Sequence, residues 1–249
     1  MVRFSCMAAI AVLFFATVAP AYAAKTETVN YKSGNDTISG YLATPGTPGR
    51  HPALVVIHEF FGLSDWVKEQ DQKLADEGYI ALAVDLYRGT LTTDPKVAAG
   101  LSRDLPRDRA VQDMKAAVDY LISRPDVDKS KIGAIGWCMG GGYALMLAVN
   151  ESRLAADVVF YGAMPTEPES IRAIRAPVLG NFGGTDQVIK PEAVHQFESA
   201  MKQAGKSSDI KIYDGAGHGF GNPSNPNYNA EAAQDAWNRT VKFFAKTLK

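Results

Sequence analysis

The sequence predicts an α/β fold, a mostly parallel sheet with helices on both faces and an antiparallel hairpin at its N-terminal end. Short apolar runs that suit buried strands alternate along the chain with longer amphipathic runs that suit helices. The connections between these runs are short and rich in turn-forming residues. Such alternation is typical of parallel strands, because each helix returns the chain across one face of the sheet.

The predicted elements begin with the hairpin, whose strands 27–31 and 37–43 are joined by the turn-forming residues 33–36. The later strands are predicted, in chain order, at residues 53–57, 79–84, 132–135, 154–161, 177–182 and 210–213. The helices are predicted at residues 64–77, with Ser64 as the N-cap, and at 107–122, 143–149, 191–204 and 230–248. The polar segment 90–105 contains Gly100 and has prolines nearby, and we expect a small cap or lid there.

Residues 1–23 have the features of a secretory signal peptide. Arg3 is the single charge before Lys25, residues 7–18 are almost wholly apolar, and Ala21-Tyr22-Ala23 offers a small-residue cleavage site. The apolar run is shorter than the roughly 20 residues of a spanning helix, although an uncleaved membrane anchor is the alternative. We therefore expect cleavage after Ala23. The mature protein would be periplasmic or secreted, free of the membrane, and a single domain over residues 24–249.

Composition excludes some classes of function. The chain has 26 basic and 27 acidic residues, and no basic patch of the kind that nucleic-acid binding requires. Its two cysteines are Cys6 and Cys138, so signal cleavage would leave Cys138 alone. A lone cysteine in an exported protein is either an inert buried thiol or a reactive one. We expect no metal, no cofactor and a monomeric protein.

The segment Gly136-Trp137-Cys138-Met139-Gly140 lies between a predicted strand and a predicted helix. This G-x-Nu-x-G spacing is the pattern of a nucleophile elbow, with cysteine in place of the commoner serine. A nucleophile on such a turn has a strained backbone, and glycines two residues before and after it relieve the crowding. The helix N-terminus that follows favours a thiolate and a developing oxyanion. The alternative is a glycine-rich turn that holds a buried structural cysteine.

Cys138, Asp186 and His218 each follow a predicted strand, so all three are expected at one edge of the sheet. Their chain order is the nucleophile–acid–histidine order of the α/β-hydrolase arrangement. In this interpretation Cys138 attacks a carbonyl carbon, His218 transfers the proton and Asp186 orients the imidazole. Asp186 could instead be a turn residue or a helix N-cap. His218 could be an ordinary loop histidine, which would leave His58 as the alternative base.

The segment after strand 53–57 supplies further candidates. An oxyanion hole is expected to combine the backbone N–H groups of Met139 and Phe60. Glu59 is expected near Cys138, where a carboxylate could accept the thiol proton or modulate the thiol. The alternative role for Glu59 is a structural bridge to Arg88.

With these motifs the chain resembles the dienelactone hydrolase family of α/β-hydrolases. The resemblance covers nearly the whole chain after the signal peptide, and it is carried by His58-Glu59-Phe60-Phe61-Gly62, Asp85-Leu86-Tyr87, Gly136-Trp137-Cys138-Met139-Gly140-Gly141, Gly184-Thr185-Asp186 and Gly217-His218-Gly219-Phe220. It implies hydrolysis of a small ester or enol lactone through a Cys-His-Asp triad and a covalent thioester intermediate. It also implies that the glutamate matching Glu59 accepts the thiol proton when substrate binds.

Substrate-binding residues match the family less well. Family members that cleave dienelactone hold the substrate carboxylate with an arginine shortly after the catalytic histidine, and that place is taken here by Asn222. A neutral amide cannot form a bidentate charged pair. Arg103 loosely matches a second family arginine from the cap, and Arg88 follows a predicted strand at the same sheet edge. These three residues are the candidates for substrate binding.

Two other functions are compatible with the sequence. A general carboxylesterase without lactone preference is slightly favoured by Asn222. A non-catalytic binding module could use the same fold, with Cys138 as a relic or a redox-sensitive thiol. An intact set of nucleophile, acid and base argues against the binding module.

Overall fold

A computed structural model of the protein describes residues 23–249. The segment expected to be a signal peptide therefore lies almost wholly outside the described residues, and its cleavage stays a prediction. Between residues 23 and 249, no helix has the length and apolar character needed to cross a membrane.

Eight strands form one sheet with the order β1-β2-β4-β3-β5-β6-β7-β8. The hairpin β1–β2 is antiparallel, β2 also runs antiparallel to β4, and the remaining neighbours pair in parallel. The strands are β1 (Lys25–Ser33), β2 (Asp36–Thr44), β3 (His51–Ile57), β4 (Ile80–Val84), β5 (Val127–Trp137), β6 (Leu154–Phe160), β7 (Val178–Gly183) and β8 (Ser208–Tyr213). The predicted fold class is confirmed, and β1–β2 is the predicted N-terminal hairpin.

In the described part of the chain, seven helices connect or follow these strands: α1 (Asp65–Asp76), α2 (Pro95–Asp104), α3 (Arg107–Ser123), α4 (Met139–Asn150), α5 (Pro168–Ala173), α6 (Pro191–Gln203) and α7 (Ala230–Leu248). Ser64 caps α1 as predicted, since its hydroxyl accepts a hydrogen bond from the Val67 N–H. The expected cap segment contains α2, which begins where the Asp94 carboxylate accepts from the Lys96 N–H and Pro95 takes the first position. The short helix α5 was not predicted.

Helix α4 begins at Met139, four residues before its predicted start. Three consecutive glycines, 140–142, disfavour a helix by propensity alone. Tertiary packing outweighs this preference. The backbone of Gly140 packs so closely against the carbonyl oxygen of Ile57, at the end of β3, that a Cβ atom there would overlap it. The first turn of α4 therefore lies directly against the neighbouring strand end.

The apolar core has two parts, one on each face of the sheet. Side chains of α3, α4, α5 and α6 pack on one face, and those of α1 and α7 pack on the other. This three-layer arrangement buries both faces of the parallel strands, which explains their nearly continuous apolar sequences.

One carboxylate is buried in the middle of this core. Asp157 of β6 is fully inaccessible to solvent, and neither of its carboxylate oxygens has a hydrogen-bond partner. Burial raises the pKa of Asp157 to about 8, with a partly offsetting contribution from the Val158 backbone. The side chain is therefore mainly neutral at pH 7.

Candidate active site

Cys138 occupies the turn between β5 and α4. Its backbone has φ 57° and ψ −118°, a conformation that costs free energy for a residue with a side chain. The turn can close because residue 136 is a glycine. A Cβ atom at this position would overlap the carbonyl of Gly140. The Cys138 N–H also donates to the carbonyl oxygen of Phe160 at 3.0 Å. These contacts fix the position from which the half-buried thiol projects.

Cys138, His218 and Asp186 form one hydrogen-bonded series. His218 Nε2 lies 3.1 Å from Cys138 Sγ, and His218 Nδ1 lies 2.8 Å from Asp186 Oδ2. The other Asp186 oxygen accepts from the backbone N–H groups of Val188 and Ile189, at 2.7 and 2.9 Å. The structure therefore brings together the three residues that the strand-end argument placed at one edge.

The hydrogen bonds of this series shift the pKa values of His218 and Asp186 in opposite directions. Burial lowers the pKa of His218, but hydrogen bonds to Asp186 and Cys138 together outweigh burial and raise it to about 10. For Asp186, burial raises the pKa, and the bonds from His218 and from the Ile189 and Val188 N–H groups lower it overall. At neutral pH the geometry therefore suits an imidazolium held between a carboxylate and the sulfur.

Two backbone N–H groups, those of Phe60 and Met139, are the candidates for an oxyanion hole. The last residue of β3, Ile57, pairs with Gly136 of β5, so the segment containing Phe60 leaves the sheet beside the elbow. The N–H groups of Phe60 and Met139 make none of the hydrogen bonds found among residues 23–249. Such unpaired donors beside a nucleophile suit the stabilisation of an oxyanion.

His58 is not available as a base. Its Nε2 accepts from the Leu86 N–H at 3.2 Å, and its Nδ1 lies 2.6 Å from the carbonyl oxygen of Glu59. Burial lowers the pKa of the fully buried His58 below its usual value, although the Glu59 carbonyl and Asp85 act in the opposite direction. Both ring nitrogens are therefore used by the backbone, and His58 has a structural position.

Glu59 is buried and its partner is Asn222. The Asn222 side-chain amide donates to Glu59 Oε2 at 2.7 Å. Burial raises the pKa of Glu59 above its usual value, while the bond from Asn222 and the charge of His218 offset part of that shift. No hydrogen bond joins Glu59 to Cys138 or to Arg88 in the described part of the chain. The alternative of a Glu59–Arg88 bridge is therefore wrong.

Arg88 and Arg103 have carboxylate partners of their own. The Arg88 guanidinium lies 2.6 Å from Asp36 in the hairpin and 3.5 Å from Asp113 in α3. Arg103 pairs at 3.0 Å with the adjacent Asp104, and both side chains are exposed. The structure therefore does not join either arginine to the cysteine–histidine–aspartate series. The Asn222 side chain is hydrogen-bonded to Glu59, and among the described residues it makes no hydrogen bond to a side chain of the series.

The prediction from sequence missed two tyrosines near the series. The ring of Tyr161, at the end of β6, meets the His218 ring edge-on with centroids 5.3 Å apart, and its hydroxyl lies against Gly221. The Tyr87 hydroxyl donates to Met139 Sδ at 3.1 Å, and burial raises the pKa of Tyr87 to about 12. The available signal for Tyr161 was its place at the end of the predicted strand 154–161, since the ends of these strands share the sheet edge that carries Cys138.

The arrangement as a whole suits acyl transfer. It contains a thiol nucleophile, a histidine that reaches the sulfur, a carboxylate that holds the histidine and two free N–H donors. Within residues 23–249, no cluster of three or more histidine, cysteine, aspartate or glutamate side chains could hold a metal ion.

Comparisons with known proteins point to the same class. The profile of the Dienelactone hydrolase family matches residues 38–248. A relative from Saccharolobus solfataricus named "Putative carboxymethylenebutenolidase" is 34% identical over a gapped alignment of 258 residues that covers 88% of this chain and 98% of the relative. A relative of the same name from Methylorubrum extorquens is 33% identical over 221 residues, 83% of this chain and 76% of the relative.

A solved structure is similar over most of the chain. The crystal structure titled as a putative dienelactone hydrolase from Klebsiella pneumoniae superposes with a TM-score of 0.84 at 26% identity. The match covers 90% of this chain and 99% of that one.

Proposed function

Because this chain belongs to the dienelactone hydrolase family and is a hydrolase of ester or lactone substrates, we propose that it cleaves a small ester or enol lactone through a Cys138-His218-Asp186 triad. The observation that carries the proposal is the unbroken series of contacts from Cys138 Sγ through both nitrogens of His218 to Asp186. We propose export by a signal peptide on sequence grounds alone.

The reaction begins with attack of the Cys138 sulfur on the substrate carbonyl carbon. The N–H groups of Phe60 and Met139 stabilise the tetrahedral oxyanion. Its collapse breaks the carbon–oxygen bond, His218 protonates the leaving oxygen, and a thioester remains on Cys138. Water activated by His218 then hydrolyses the thioester and regenerates the thiol. Asp186 keeps His218 Nδ1 protonated and stabilises the imidazolium throughout.

Hydrolysis of p-nitrophenyl acetate by the protein, measured beside its Cys138→Ala variant, tests the proposal. Turnover by the parent alone is the expected result. Equal turnover by both proteins would contradict the triad.

Glu59 is proposed as an acceptor of the thiol proton. Its buried carboxylate has a raised pKa, which makes it a better base than an exposed glutamate. Within the described residues, the hydrogen-bond partner of this carboxylate is the neutral side-chain amide of Asn222. We expect Glu59→Gln to lower kcat/KM at pH 7 by about 10- to 100-fold. Since a base acts only when deprotonated, parent activity should rise as the pH increases through the pKa of Glu59, and the variant should lack that rise.

Asn222→Ala is the companion variant for this test. It keeps the carboxylate but removes the hydrogen bond that lowers the pKa of Glu59. The rise in kcat/KM should therefore move to higher pH without disappearing. If Glu59→Gln and the parent have the same pH–rate profile, Glu59 does not accept the proton.

A general carboxylesterase without lactone preference is the second candidate. It is favoured by Asn222, which occupies the place of a carboxylate-binding arginine and is bonded to Glu59. Values of kcat/KM for a carboxylate-bearing enol lactone and for a neutral ester separate the two functions, since a carboxylesterase would prefer the neutral ester.

A further inference from the structure

Two cavities flank the series, and they differ in chemistry. The first, about 430 Å³, is lined mainly by polar groups and includes His218 itself, together with Thr185, Gln187 and Asn227. The second, about 420 Å³, lies between the β6–α5 connection and α6 and has a mainly apolar lining. Val188, whose N–H donates to Asp186 Oδ1, lines both cavities.

We infer that the second cavity, which we call the acyl groove, binds the aliphatic acyl chain of the substrate. Its apolar lining comprises chiefly Ala163, Met164, Ile189, Ala193, Phe197 and Ala200. The inference rests on the proposed hydrolase function and specifies its substrate class as esters of aliphatic acids that are longer than acetate. The groove volume is within the range of about 300–1,000 Å³ that is typical of small-molecule sites.

One wall of the acyl groove contacts the first turn of the helix that begins just after the nucleophile. Gly142 lies four residues after Cys138, about 6 Å along α4. A Cβ atom at Gly142 would lie 3.4 Å from the Cβ of Ala163, and Gly162 packs on the backbone of Gly141 and Gly142. The connection that forms this wall therefore touches the first turn of the helix that Cys138 caps.

The opposite wall adjoins the acid of the triad. The backbone N–H groups of Val188 and Ile189 hold Asp186 Oδ1, and the side chains of the same two residues line the groove. The Val188 side chain is 68% exposed. An acyl chain in the groove would cover it and remove apolar surface from water.

The position of His218 indicates which half of the ester enters which cavity. The leaving oxygen must lie near His218 Nε2, because the imidazolium protonates it. His218 lines the polar cavity and not the acyl groove. The alcohol half therefore leaves through the polar cavity, and the acyl half extends toward the groove.

The test is a series of p-nitrophenyl esters from acetate through butyrate and hexanoate to octanoate, assayed with the parent protein. Each methylene buried in the groove should raise kcat/KM by about threefold to fourfold, or about 100-fold from acetate to hexanoate. Ala193→Trp would fill the groove from an exposed position on α6. It should lower kcat/KM for hexanoate by more than tenfold relative to kcat/KM for acetate, and so flatten the dependence on acyl length.

Ser199→Trp is the matched control, because Ser199 is exposed on the same helix and does not line the groove. It should leave the chain-length dependence unchanged. Acetate turnover with no dependence on acyl length, or equal effects of the two tryptophans, would overturn the acyl groove while the hydrolase function stands. A preference for long alcohols over long acids would also overturn it. Absence of turnover with every ester would contradict the hydrolase function itself.

Discussion

The Cys138→Ala protein is expected to lose p-nitrophenyl acetate hydrolysis by about 10⁴-fold or more in kcat/KM. The substitution removes the sulfur that His218 Nε2 contacts at 3.1 Å. Without it no thioester can form, and only the oxyanion donors and substrate binding remain to assist attack by water. Steady-state kinetics at pH 7 measure the effect.

A matched control for this variant is His195→Ala. His195 is exposed on α6 and pairs only with Glu198, at 3.9 Å, so its loss should leave kcat/KM within about twofold. Both variants should unfold at nearly the parental temperature, since alanine fits the half-buried site of Cys138. Activity of Cys138→Ala within tenfold of the parent would refute the thiol mechanism.

The second large effect is on stability and concerns Asp157. Its pKa is raised to about 8 in the folded protein, against about 3.9 for an unfolded chain. The folded state therefore binds a proton more tightly than the unfolded state does. That contribution to stability is fully present below about pH 4 and is lost as the pH rises through 8. Between pH 5 and pH 8 the loss amounts to about 3–4 kcal/mol in the free energy of unfolding.

Asp157→Asn isolates this effect, because an amide of the same shape carries no charge at any pH. Urea unfolding gives the free energy of unfolding of both proteins at pH 5 and at pH 8. The variant's value minus the parent's should be about 3–4 kcal/mol larger at pH 8 than at pH 5. Asp214→Asn is the control, since it removes the same charge from an exposed loop. A parent–variant difference that is the same at both pH values would show that Asp157 is not titrating.

The fold was predictable because its signals are local and mutually consistent. Apolar runs marked the parallel strands, and the Ser64 and Pro191 signals marked helix starts within a residue or two. The start of α4 was missed because propensity argues against Gly140 to Gly142, whereas the packing of Gly140 against Ile57 depends on the neighbouring strand. Helix α2 was missed as a helix because its capping pair, Asp94 and Pro95, begins a segment that was interpreted as polar and as broken by Gly100.

The candidate site was predictable only in part. Residues at strand ends share an edge by topology, and the structure joins Cys138, Asp186 and His218 by hydrogen bonds. Partners that come from distant loops were not predictable. The bond between Asn222 and Glu59 spans 163 positions, and no spacing rule links them. Arg88 was assigned to the site by its place after β4, but its side chain turns to Asp36 and Asp113.

Alkylation of Cys138 by iodoacetamide at pH 6 tests the central claim most directly. His218, whose pKa is raised to about 10, is protonated at this pH, and its Nε2 lies 3.1 Å from the Cys138 sulfur that the reagent must reach. Mass spectrometry of the peptide that contains Cys138 gives the modified fraction, and ester hydrolysis gives the remaining activity. If Cys138 is the nucleophile, activity falls in direct proportion to the modified fraction and reaches zero when modification is complete. Retained hydrolysis by protein fully alkylated at Cys138 would contradict it.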